Sequence, residues 1–187
     1  MNNHTPIANL HDNRGFRLDD SGKSKAYFSI RKPCIIDSMS ITQLKEIWNN
    51  DPDRNVRICL HDSPQSSFHE MVILESPKRY YRPHKHVTKG ESYHLIEGRL
   101  GVFIFSDQGV ILDSRILDTN DSLIYRIAES VFHCILPISN PVIYHECKLG
   151  PFTGNEDSIW ADWSPSESET DEVFKFQEKL RKHLLVN

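Results

Sequence analysis

The segment from Arg82 to Glu91, RPHKHVTKGE, concentrates residue types that can chelate an ion. His84 and His86 are separated by one residue, and Glu91 follows after a short turn. Side chains in a β-strand alternate between faces, so His84 and His86 point the same way and Lys85 the other. A turn over Val87 to Gly90 can return Glu91 beside them on the next strand. Imidazole plus carboxylate is a donor set suited to iron(II), manganese(II), zinc(II), nickel or copper. The expectation is a metal site inside a β-barrel. Another histidine, His133, lies downstream in a second apolar segment.

The elements that must position these groups follow from periodicity. From Val56 onward the apolar pattern has period two, with candidate strands over 56–61, 68–75, 80–86, 91–97, 100–106, 109–117, 122–127, 131–138 and 142–149. Glu97-Gly98, Asp107-Gln108-Gly109, Thr119-Asn120-Asp121 and Asn140-Pro141 supply turn chemistry between them. Many short strands with such turns predict a mostly-β antiparallel sandwich or small barrel. A strand is also expected over 26–31. Ser40 and Gln43 have capping-box spacing, and Ile41, Leu44, Ile47 and Trp48 recur at helical spacing, so a short helix is expected over 41–50. A last helix over 171–185 would be capped by Thr170, with Val173, Phe176, Leu180 and Leu184 as its apolar stripe. The expected organisation is a polar N-terminal arm (1–25), a barrel with its preceding helix (26–165) and a C-terminal helix (166–187).

Bulk properties narrow the function classes. A chain of 187 residues supports one sizeable core. The net charge of −4, without a dense Lys/Arg cluster, argues against a nucleic-acid surface. No apolar run reaches the length of a membrane-spanning helix, and the first residues lack a secretory layout, so a cytoplasmic protein with no membrane partner is expected. The cysteines Cys34, Cys59, Cys134 and Cys147 are widely spaced and are expected as free thiols.

The spacing His84-x-His86-x4-Glu91-x6-Gly98 resembles the first cupin motif. The position six residues before His84, a glycine in that motif, is Lys78 here. The second motif, Pro-x-Gly-x-x-His, has as its counterpart Ala128-Glu-Ser130-Val-Phe-His133, which keeps the histidine and lacks the proline and glycine. Over roughly residues 55 to 165 the chain resembles the WbuC-type cupin fold metalloproteins. RICLHDSP (57–64), the HEM of 69–71, EGRLGVFIFSDQG, YHECKLGPF (144–152) and WADWSP carry this likeness. The resemblance implies a double-stranded β-barrel of jelly-roll topology with short flanking helices. It also implies one divalent ion per chain (zinc, iron, manganese or nickel) on His84, His86, Glu91 and His133. Such proteins are often encoded among genes for O-antigen or other surface polysaccharides, so a sugar-like or anionic small molecule is the expected ligand.

Further candidates surround the ligands. Arg57, Cys59 and His61 alternate on one strand and share a face, and an arginine there suits a carboxylate or phosphate. Arg57, His61 and Lys89 are therefore candidate substrate-binding residues. Glu70, Tyr93 and Glu146 are candidate proton carriers, because a carboxyl or phenol in an apolar strand needs a partner or a shifted pKa. Together these residues suit a metal-dependent isomerase or epimerase acting on a sugar or nucleotide sugar. The alternatives are a sugar-binding accessory protein without catalysis and an iron(II)-dependent dioxygenase. A homodimer is expected, with the strand at 26–31 or the last helix covering an exposed sheet edge.

Overall fold

The structure is a computed structural model and describes residues 9–12 and 14–186. Residues 1–8 of the expected arm lie outside the described residues. The strands are β1 (Phe16–Asp19), β2 (Ser24–Ser29), β3 (Asn55–Cys59), β4 (Phe68–Glu75), β5 (His84–Lys85), β6 (Glu91–Glu97), β7 (Arg99–Phe105), β8 (Ile111–Asp118), β9 (Ile124–Ile127), β10 (Phe132–Pro137), β11 (Val142–Leu149) and β12 (Ile159–Trp160). The helices are α1 (Ser38–Asn49) and α2 (Thr170–Val186). One sheet runs β1-β2-β3-β4-β11-β6-β9 and the other β12-β5-β10-β7-β8. The eight strands β4 to β11 divide as 4-11-6-9 and 5-10-7-8, the order of a jelly roll. The expected mostly-β jelly roll with flanking helices is therefore observed. It is built as a two-sheet sandwich, and the ladders of the two sheets do not join into a closed barrel.

The alternation that predicted the strands also sorts their side chains. Met71 and Ile73 of β4, Tyr93 and Leu95 of β6, Val102 of β7 and Tyr144 of β11 face inward between the sheets. Val72 and Leu74 face outward, where Leu44, Ile47 and Trp48 of α1 cover them. Full burial of a side chain such as Leu44 is worth about 2 kcal/mol. On the opposite face Phe176, Leu180 and Leu184 of α2 cover Phe103, Phe105 and Leu136, joined by Trp163. Both terminal elements considered for pairing with a second subunit are thus engaged within the chain: α2 lies on its own sheet, and β2 lies between β1 and β3.

Three local differences from expectation have physical reasons. The helix cap is Asp37, not Ser40: Asp37 accepts from the Ser40 N–H at 2.9 Å, and the Ser40 hydroxyl accepts from the Asp37 N–H at 3.3 Å. The capping box therefore starts three residues earlier, and such a cap is worth about 1 kcal/mol. Within the polar arm, Leu10 and Phe16 are buried and β1 pairs with β2. The strand expected over 80–86 shrinks to His84–Lys85. Pro83 has no N–H for a ladder, and its carbonyl instead accepts from Ala161 at 2.9 Å. One pair, β2 with β3, is parallel, and α1 provides the crossover between them. Among the described residues no helix is long and apolar enough to cross a membrane.

Candidate metal centre

His84, His86, Glu91 and His133 come together, each offering one donor atom, with all four atoms within 4.8 Å of one another. The segment between β5 and β6 brings three of them to one end of the sandwich. The fourth arrives because His133 of β10 is the register partner of His84 on β5. Lys85 points the other way, its ammonium 4.3 Å from the centre of the Phe132 ring.

Ser130 shows how the imperfect second motif still works. It has φ +62°, in the left-handed region that a glycine would occupy without strain. Its N–H donates to the His86 carbonyl at 2.7 Å and its hydroxyl to the Val87 carbonyl at 3.1 Å. The serine thus keeps the turn that delivers His133 and ties it to the segment carrying His86. Gly98, the turn glycine of the first motif, has φ +87°, and a Cβ there would lie 2.5 Å from the Pro141 carbonyl oxygen.

The tautomers of the three imidazoles follow from their neighbours. Nδ1 of His84 meets the Arg82 carbonyl at 3.0 Å, that of His86 the Asp157 carbonyl at 2.6 Å, and that of His133 the Val131 carbonyl at 2.8 Å. A carbonyl oxygen only accepts, so each Nδ1 carries the proton and each Nε2 presents a lone pair. Nε2 of both His86 and His133 is buried without a hydrogen-bond partner. Glu91 carboxylate oxygens lie 3.4 Å from the first and 2.6 Å from the second. Lone pairs converging at such distances call for a cation among them. The donor set therefore fits a divalent ion, and the carbonyl partners are the outer-shell contacts such sites use to orient histidines. Burial and the adjacent His133 lower the His84 pKa to about 3, which keeps that ring neutral.

Glu91 is almost fully buried. Burial alone would raise its pKa, but the Lys148 ammonium holds the carboxyl well below its ordinary value. Lys148 lies 3.6 Å from Glu91 and 3.0 Å from Glu146. Its own pKa, which burial would lower, is raised by those two carboxylates. The Tyr93 hydroxyl donates to Glu91, and burial together with that carboxylate keeps the phenol protonated.

His84, Glu91, Tyr93, Glu146 and Lys148 line a cavity of about 410 Å³ between the sheets, together with Arg57, Cys59, His61, His69 and Glu75. The Arg57 Nε is buried without a partner. His61 stacks on His69 with ring centroids 4.2 Å apart, and burial plus that neighbour lowers its pKa to about 4. Burial pushes the Cys59 thiol up to about 11. All four cysteines are free. Of the candidate proton carriers, Tyr93 and Glu146 face the cavity. Glu70 does not: the alternation that turns Met71 inward turns Glu70 outward, where its carboxylate lies 3.8 Å from His145. Lys89 also lies outside the cavity, donating to the Pro151 carbonyl at 2.6 Å and to Asp157, so it holds the loop behind His86. Lys148, Glu75 and Asp157 were not foreseen. Lys148 shares strand parity with Glu146, and that parity was the available signal.

A family model described as "Domain of unknown function (DUF6016)" matches residues 36–117, less than half of the chain. The match includes His84, His86 and Glu91 but not His133. No curated protein matches the sequence. Among solved structures, the capsular polysaccharide assembling protein CapF from Staphylococcus aureus is 14% identical, with a TM-score of 0.48 over 56% of this chain and 29% of that one. The L-ribose isomerase of Cellulomonas parahominis is 14% identical, with a TM-score of 0.45 over 58% of this chain and 69% of that one. Protein SO0799 from Shewanella oneidensis is 11% identical, with a TM-score of 0.44 over 65% and 77%. This chain thus spans less than a third of the CapF chain.

Proposed function

We propose that this chain is a metal-dependent enzyme that isomerises or epimerises a sugar or nucleotide sugar in bacterial surface polysaccharide metabolism. The observation that carries the reading is the convergence of three proton-free Nε2 atoms and Glu91 beside a cavity that Arg57, His61, Glu146 and Lys148 also line. A divalent ion held by His84, His86, Glu91 and His133 would supply a Lewis acid able to polarise a carbonyl or hydroxyl. Isomerisation of a free aldose or ketose, and epimerisation of a sugar (free or nucleotide-linked) at a carbon beside its carbonyl, remove a proton from the carbon next to a carbonyl and return one to the same or the neighbouring carbon, so they need no oxidant or second substrate. Glu146 is the proton acceptor in this reading, and Lys148, 3.0 Å away, holds it in place. Tyr93 orients Glu91 through its hydroxyl. Arg57 and His61 orient the substrate, because an ion alone binds hydroxyls weakly against water and a second anchor is required. The likeness of the sequence to WbuC-type proteins supports sugar chemistry.

The test is proton exchange. Metal-loaded protein is incubated in deuterium oxide with free aldoses, ketoses and nucleotide-linked keto sugars, and deuterium entering carbon-bound positions is followed by NMR. Glu146→Gln should abolish the exchange while retaining the metal. Fully loaded wild-type protein that exchanges no carbon-bound hydrogen in any of these sugars would refute the enzymatic reading.

A further inference from the structure

A second cavity, of about 510 Å³, lies outside the sandwich between the segment 78–82, β12 and α2. It shares Ser24, Asn55, Tyr81 and His84 with the metal cavity, so the two are neighbours across a common wall. Its chemistry differs from that of its neighbour. Lys23, Lys78, Arg79 and Arg82 line it, against Glu167 as the one lining carboxylate. The Arg79 Nε is buried with no partner, although its Nη2 donates to the Lys23 carbonyl at 3.1 Å. Two aromatic rings also line the groove and are open to solvent: Trp160 is 45% exposed and Phe174 66% exposed. Lys23 pairs with Glu167 at 2.6 Å, Lys78 with Asp53 at 2.7 Å, and Arg82 donates to the Ala161 carbonyl at 2.9 Å, so Arg79 is the lining cation with an unpartnered N–H. That N–H beside two open rings suits a ligand with both a flat ring and negative charge.

We infer that this groove is a subsite for the nucleoside diphosphate half of a substrate whose sugar half enters the metal cavity past Ser24, Asn55 and Tyr81. The inference rests on the proposed sugar chemistry for the placement of the second half. The groove itself is read from its own residues. Arg79 meets the phosphates through charge-assisted hydrogen bonds. Phe174 and Trp160 offer faces for the base, and stacking of this kind tolerates any base because every base has a π-face. The recognition is therefore for a nucleotide as a class.

Isothermal titration of the whole chain with uridine, thymidine, cytidine, guanosine and adenosine diphosphates, and with inorganic pyrophosphate, tests this. At least one nucleoside diphosphate should bind, and more tightly than pyrophosphate. Arg79→Ala should weaken that binding by about tenfold or more, the loss expected for a charge-assisted hydrogen bond. Phe174 is exposed on α2, so Phe174→Ala leaves the fold intact, and it should weaken nucleotide binding severalfold while leaving pyrophosphate binding unchanged. Binding should survive removal of metal by a chelator. No binding by any of the five nucleotides, or equal affinity in wild type and both variants, would overturn the inference. The two readings fail separately. Nucleotide binding without metal uptake would remove the proposed enzyme and leave the groove. Metal uptake and sugar exchange without nucleotide binding would remove the groove and leave the enzyme.

Discussion

His84 and His133 are register partners across the β5–β10 ladder, with ring centroids 4.5 Å apart. One ladder pair thus brings together ligands that lie far apart in the chain. Because side chains alternate with period two, a slip of one residue would turn His133 away from the cluster. What guards that register is the turn before β10, where Ser130 is bonded to the His86 and Val87 carbonyls.

That turn makes a direct prediction. Ser130→Gly relieves the left-handed strain at φ +62° and should retain metal, with stability changed little. Ser130→Val places a β-branched residue in that region, which such residues tolerate worse than serine, and removes the hydroxyl bond to the Val87 carbonyl. It should lower the melting temperature and weaken metal retention. Thermal melts and metal analysis of the two variants check this, and equal behaviour would contradict the role given to the turn.

Lys148 compensates two buried carboxylates, Glu91 and Glu146. Lys148→Met leaves both without their ammonium partner and should destabilise the metal-free chain by about 3 kcal/mol. Binding of a divalent ion should recover part of that loss, since the ion meets the Glu91 charge. Chemical denaturation with and without metal measures both effects. A variant as stable as wild type without metal would show that the ammonium is not needed.

Glu75 should make stability depend on pH. Burial raises its carboxyl pKa to about 8, and the Tyr144 hydrogen bond at 2.6 Å offsets part of that rise. The folded chain therefore keeps a proton that the unfolded chain releases above its ordinary value of 4.5. The contribution is complete at low pH, falls as pH rises towards about 8, and is then gone. Glu75→Gln, neutral throughout, should flatten the loss of stability between about pH 5 and about pH 8. Denaturant titrations across that range check the slope, and identical slopes in both proteins would contradict the assignment.

Arg57 faces the cavity with a buried, unpartnered Nε. Arg57→Ala should weaken binding of glucose 1-phosphate by about tenfold, the scale of a lost charge-assisted contact, without loss of metal. Calorimetric titration alongside metal analysis separates the two. Unchanged affinity would remove Arg57 from substrate binding.

The ligands were legible because His84, His86 and Glu91 lie in one short stretch whose period-two geometry needs no tertiary information. Strands β4, β6 and β11 could be bounded because turn residues flank each of them, and β6 also alternates along its length. Lys148 shares the parity of Glu146, but a lysine near the end of a strand ordinarily reaches water, so parity alone does not give it a role. Only the fold brings Glu91 of β6 beside β11. The opposite holds for Glu70: its parity against Met71 already argued for the outer face. The capping of α1 was misplaced because Ser40 can serve either as a cap or as the third residue of a box, and only Asp37 upstream decides between them.

The central claim is that His84, His86, Glu91 and His133 hold one divalent ion. The most direct measurement is elemental analysis of untagged protein, wild type beside His86→Ala and His133→Ala, with circular dichroism to check that each variant keeps its β structure. The account predicts close to one ion per wild-type chain and a loss of most of it in both folded variants. Stoichiometric metal retained in either folded variant, or a wild-type chain that takes up none when divalent ions are supplied, would contradict it.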